Sequence, residues 1–144
     1  MKILLAVDGS KHSLKAVDSL VEHADWWRVM PEVELVTVHL PLPHAKRIGA
    51  AVSKGQIDRY YREEGEECLA AAEKRLKAAR IAYKSRILVG PIAETISAHA
   101  LRYGCDLICV GTHGRGTAGR LLLGSVATRL SEIARVPLLL VRSR

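Results

Sequence analysis

The chain of 144 residues has no Phe, two Trp and four Tyr. Aromatic packing therefore cannot dominate its interior, and Leu, Val, Ile and Ala must fill the core. The same scarcity argues against an aromatic-studded nucleic-acid surface. No stretch approaches the ~18 consecutive apolar residues of a membrane span. The opening MKILLAVDGS is too short an apolar run for a secretion signal. Cysteine is scarce and odd in number. Cys68, Cys105 and Cys109 lack metal-site spacing, so they read as packed, reduced thiols of a cytoplasmic protein. Carboxylates are missing from one long segment, with no Asp or Glu between Leu107 and Ser131.

Strands and helices alternate along the rest. Ile3 to Val7 is a continuous apolar run closed by Asp8-Gly9-Ser10, which suits a strand buried on both faces. Leu14, Val17, Val21 and Ala24 follow at helical spacing, with Ser10 as N-cap and Trp26-Trp27 at the end. Val33 to Leu40 is rich in β-branched residues and reads as the second strand. A Pro- and Gly-rich loop comes next, and then a helix from about residue 55 to 80. Ile81 to Val89 forms the third strand. Gly90-Pro91 opens a helix with Ile92, Ile96, Ala100 and Tyr103 on its apolar stripe, and Gly104 ends it. Leu107 to Val110 is the fourth strand. Ser125 caps a helix striped by Val126, Leu130 and Ile133, Pro137 breaks it, and Leu138 to Val141 is the fifth strand.

This βαβαβαβαβ order implies a single α/β domain over residues 1–144, an open five-stranded parallel sheet with helices on both faces. Ligands of such sheets bind beyond the carboxyl ends of strands, where the strand order reverses. Asp8 and the glycine-rich segment after the fourth strand are the prime candidates.

That segment, GTHGRGTAGRLLLGS at 111–125, holds five glycines and no acid. Glycines let backbone N–H groups approach an anion, and a helix start adds unpaired N–H groups and a positive dipole end. Arg115, Arg120 and His113 add charge, and the Ser125 hydroxyl can donate. A plain turn seldom combines all of these. A Walker A loop needs Gly-Lys-Ser/Thr, which is absent. Gly114-x-Gly116-x-x-Gly119 matches the dinucleotide fingerprint in letters, but leucines rather than a helix start follow it, and it sits after the wrong strand. The wider spacing is more informative: Gly111, then two residues, Gly114, then nine residues, and Gly124-Ser125. Leu121-Leu122-Leu123 would anchor the excursion and return the second glycine to the first.

This G-x2-G-x9-G-[ST] spacing resembles the nucleotide-binding motif of the universal stress protein family. So do the first strand ending in Asp8, His39-Leu40, DLICVGTHGRG at 106–116 and VPLLLVR at 136–142. The resemblance covers essentially the whole chain. It implies strand order 3-2-1-4-5, adenine-nucleotide binding and a homodimer. Carried over by position, Ala6, Val7 and Asp8 would lie along the adenosine, and Asp8 near the ribose or a hydrated metal. Leu40 would meet the adenine through its backbone. Gly111, Gly114 and Arg115 would line the phosphates from one side, with His113 beside them, and Gly124, Ser125 and Val126 from the other. ATP would be the ligand, with Mg2+ or Mn2+ held mainly through its phosphates; no protein ligand is assigned to the metal. Ala6 departs from some nucleotide-binding relatives, which carry Pro there.

Alternatives stay beside these readings. Asp8 serves equally well as a helix-capping residue. A lone loop histidine such as His113 is more often a hydrogen-bonding group than a general base, and no catalytic residue is assigned. The apolar fifth strand, 138–141, invites pairing with a second copy if it lies at the sheet edge. Three functions follow: a nucleotide-dependent switch in the stress response, a slow ATP hydrolase, or a basic interaction module using the net charge of +7. The basic residues are scattered, which disfavours nucleic acid, and a membrane partner is not expected.

Overall fold

A computed structural model describes residues 1–42, 53–114 and 123–142. Five strands, β1 (Lys2–Ala6), β2 (Glu32–His39), β3 (Tyr83–Val89), β4 (Leu107–Gly111) and β5 (Leu138–Val141), alternate with four helices, α1 (Lys11–Glu22), α2 (Lys54–Ala78), α3 (Ile92–Arg102) and α4 (Ser125–Ile133). All strand pairs are parallel, in the order β3-β2-β1-β4-β5. The α/β class and the strand order thus stand as expected.

The central strand explains the layering. Side chains alternate across a strand, so Ile3 and Leu5 point to one face while Leu4 and Ala6 point to the other. Ile3 and Leu5 pack with Leu14, Val17 and Leu20 of α1 and with Leu69, Ala72 and Leu76 of α2. Leu4 and Ala6 pack with Ala93, Ile96 and Ala100 of α3 and with Leu130 of α4. A strand covered on both faces needs the unbroken apolar run seen in the sequence. All three cysteines are buried, and none is in a disulfide. Burial pushes the Cys109 thiol up to about 12, so it stays protonated and unreactive.

Element ends differ from the sequence expectations in small ways. The first helix stops at Glu22, and Ala24–Trp26 forms a separate 3₁₀ turn. Trp27 packs against the α1–α2 core, whereas Trp26 is 70% exposed and lies against the His23 ring. β3 starts at Tyr83 rather than at Ile81, which is buried in the core just before the strand. Gly124, not Ser125, is the N-cap of α4; its φ of −72° and ψ of 162° are extended, and Ser125 is already helical.

One polar cluster is built into the α3 face, in the amino-terminal half of the sheet. Glu34 of β2 is 3% exposed, and its Oε1 accepts hydrogen bonds from Arg86 Nε at 2.8 Å and His99 Nε2 at 3.0 Å. A carboxylate only accepts, so His99 Nε2 carries a proton. The His99 ring stacks on Tyr103 at 4.1 Å, with the Arg86 guanidinium 5.1 Å from the same ring. Burial alone pushes the Glu34 carboxyl up. The hydrogen bonds and charges of His99 and Arg86 outweigh it and hold the carboxyl below its ordinary value.

Candidate functional site

A cleft of about 640 Å³ opens at the carboxyl ends of β1 and β4, where the strand order turns back. Its floor is the end of β1 and the turn after it. Val7 donates to the Val36 carbonyl at 2.9 Å, which extends sheet pairing past β1. Gly9 then takes a positive φ of 77°, and the chain turns into α1.

Asp8 takes part in a set of local hydrogen bonds at this turn. Its carboxylate Oδ1 accepts from the Ser10 N–H at 2.9 Å, and its own N–H donates to Ser13 Oγ at 3.2 Å. The Ser13 hydroxyl donates to the Ser10 carbonyl at 3.0 Å. The N-cap bond itself belongs to Ser10, whose Oγ accepts from the Ser13 N–H at 3.1 Å. Asp8 therefore stabilises the turn through one oxygen, while the residue as a whole lines the cleft.

Gly111 and Gly114 have different jobs. A Cβ on Gly111 would come within 2.8 Å of the His12 carbonyl oxygen and 3.3 Å of Ser13 Cα. Backbone cannot swing aside as a side chain can, so glycine is required here for β4 to approach the first turn of α1. This packing duty was not evident from the spacing. A Cβ on Gly114 would instead meet Asp8 Oδ2 at 2.7 Å. Glycine at 114 keeps space beside the carboxylate, inside the cleft.

The two halves of the glycine motif are joined directly. The Gly124 N–H donates to the Thr112 carbonyl at 2.7 Å, and the Thr112 N–H donates to the Val141 carbonyl at 2.8 Å. The second glycine thus returns to the first, as the spacing implied. Beyond it, α4 starts with no side-chain capping bond. The first-turn N–H groups of Ser125, Val126 and Ala127 have no intrahelical acceptor, and all three residues line the cleft. His113 lies across from them, its Nδ1 3.0 Å from the Thr112 hydroxyl and its ring 6.0 Å from that of His12.

The other end of the cleft is apolar. Leu40 and Leu42, just past β2, line it with Tyr60 and Tyr61 of α2. Leu40 is 61% exposed and belongs to neither core cluster. The structure thus brings Ala6, Val7, Asp8, Leu40, Gly111, His113, Gly114, Gly124, Ser125 and Val126 to one cleft. Arg115 and Arg120 lie outside the described residues, as do Leu121, Leu122 and the basic segment at 44–47. No group of three or more His, Cys, Asp or Glu side chains suited to a metal ion occurs among the described residues.

Three contributors were missed in the sequence. Ser13 and Thr112 are buried hydroxyls. Each had a local signal, a second serine after the turn and a threonine between paired glycines. Tyr61 had none, because its partners lie about twenty residues away.

The universal stress protein family model matches residues 1–142. Universal stress protein MJ0531 of Methanocaldococcus jannaschii is 32% identical over 141 residues, covering 98% of this chain and 81% of that protein. Among solved structures, protein MJ0577 superposes with a TM-score of 0.76 at 25% identity, covering 99% of this chain and 96% of the other. A universal stress protein in complex with cAMP superposes at 0.70 with 24% identity, covering 100% and 98% of the two chains. From its first strand to its last, this chain belongs to the universal stress protein family.

Proposed function

We propose that this chain binds ATP in the cleft between β1, β4 and α4, and acts as a nucleotide-dependent switch in the stress response. One observation carries the reading. The bond from Gly124 to Thr112 sets an uncapped helix start beside Gly114 and Asp8. A helix N-terminus and a glycine turn facing one space are an anion site. The apolar end at Leu40 and Leu42 suits a base, and the polar end suits phosphates. The cAMP complex of a protein with the same fold supports an adenine nucleotide. Mg2+ or Mn2+ would be held mainly through the phosphates, beside Asp8.

Binding to the folded state alone stabilises it by mass action, by about 2.7 kcal/mol at a hundredfold excess over Kd. ATP should therefore raise the melting temperature, and Gly124→Val, which puts a side chain at the clasp, should abolish the rise. No shift in the unaltered protein would sink the reading. Asp8 is the one carboxylate lining the cleft among the described residues. With no second group to orient water, turnover should be slow or absent.

The protein would work as a homodimer in the cytoplasm. β5 is an edge strand of Leu138, Leu139, Leu140 and Val141, and Leu139 is 38% exposed. Such an edge favours pairing with a second copy. Buried cysteines without disulfides suit a reducing compartment.

A further inference from the structure

Tyr60 and Tyr61 stand outside the glycine motif, on the long helix α2. Tyr61 nevertheless reaches the cleft. The ladder between β2 and β3 ends at the His39–Val89 pair, and the Gly90 N–H closes it by donating to the His39 carbonyl at 2.8 Å. Residues 40–42 therefore lie past the last sheet bond. The Tyr61 hydroxyl holds them instead. It accepts from the Leu42 N–H at 2.9 Å, and its oxygen is 3.5 Å from the Leu40 carbonyl. The Tyr61 ring also lies 5.9 Å from the His39 ring. One side chain thus spans from α2 to the backbone that walls the apolar end of the cleft.

We infer that Tyr61 is a positioning residue that fixes the Leu40–Leu42 backbone for selection of the base. The role rests on the nucleotide reading above and deepens it. A backbone segment without a sheet partner samples many conformations, and holding it before the ligand arrives lowers the ordering cost of binding. The hydroxyl supplies that restraint at the base end, roughly across the cleft from the glycines. Its loss should weaken recognition of the base and leave recognition of the phosphates intact.

Tyr61→Phe keeps the ring and removes the oxygen. Calorimetric titration of this variant and the unaltered protein with ATP and with inorganic tripolyphosphate separates the two ends. ATP affinity should fall about tenfold, the scale of one hydrogen bond, while tripolyphosphate affinity holds. Without ligand, the Leu42 amide should exchange with solvent faster, at an unchanged melting temperature. Equal losses for both ligands, or no loss for ATP, would overturn the role and leave nucleotide binding standing. Failure of the unaltered protein to bind ATP would overturn both.

Discussion

The cleft at the carboxyl end of the sheet and the cluster around Glu34 are built from opposite materials. Around the cleft, glycines, short hydroxyls and backbone groups do the positioning: Gly124 is tied to Thr112, Ser10 to Asp8, and α4 starts uncapped. Two registers away from Ala6 and Val36, β2 buries a carboxylate between an arginine and a histidine. Small groups leave space and unspent donors for a ligand. The ionic cluster leaves neither, since each charge is answered within the protein. The same sheet thus carries a region organised for binding and one organised for holding α3 and β3 to β2. Mutations in the two should separate into losses of affinity and losses of stability.

The largest effect belongs to the ionic cluster. Glu34→Ala removes the shared acceptor and strands the buried His99 donor. Breaking a buried pair from one side costs about 3 kcal/mol, which for a chain of this size lowers the melting temperature by roughly 10 °C. Nucleotide affinity should hardly change. The cluster also sets an acid limit. Because the folded-state pKa of Glu34 lies below its ordinary 4.5, the unfolded chain takes up a proton there first as pH falls. The stabilisation is complete above that ordinary value and is lost as pH drops through the lower folded value. Denaturant unfolding between about pH 6 and pH 3 should show a steeper acid loss in the unaltered protein than in Glu34→Gln. Parallel curves would mean that the ion pairs do not report on folding.

Gly111→Ala tests the border between the regions. Its new methyl would press on the backbone of His12 and Ser13, so β4 or α1 must shift. Overpacking of this kind costs about 1–3 kcal/mol. Stability and affinity should fall together, because the same turn carries Asp8. A stable variant with lost affinity would assign Gly111 to the ligand rather than to packing.

These contrasts also mark what the sequence made legible. The fold was readable because β1 needs apolar residues on both faces while the helices need them on one, and these are periodic signals. The glycine spacing located the polar wall of the cleft, Gly111, Gly114, Gly124 and Ser125, since a strand end, a turn and a helix start are local in the chain, whereas Ala6, Val7, Leu40 and Val126 came from the family resemblance. Gly111 was harder to read. Its neighbour in space is the α1 backbone, about a hundred residues earlier, and no spacing rule reaches that far. Glu34 and His99 were missed for the same reason. An acid within a strand and a histidine on a helix look like solvent-facing residues until the sheet register and the α3 packing bring them together. Tyr61 likewise acts through a fold-level contact.

Gly114→Ala should give the smallest change in stability and so the sharpest separation. The added methyl would lie 2.7 Å from Asp8 Oδ2, the far end of a side chain rather than backbone. Asp8 can yield while the α1 cap of Ser10 on Ser13 remains. Unfolding free energy should therefore move by less than about 1 kcal/mol. Affinity is a different matter, because the methyl occupies the space beside the carboxylate and turns Asp8 from its present direction. ATP titration should show a loss well beyond the stability change, and thermal melting without ligand should show almost none. If the variant melts early and binds in proportion to its folded fraction, then Gly114 serves packing as Gly111 does. In that case the line between a region for binding and a region for stability would have to be drawn farther out, at Gly124 and the start of α4.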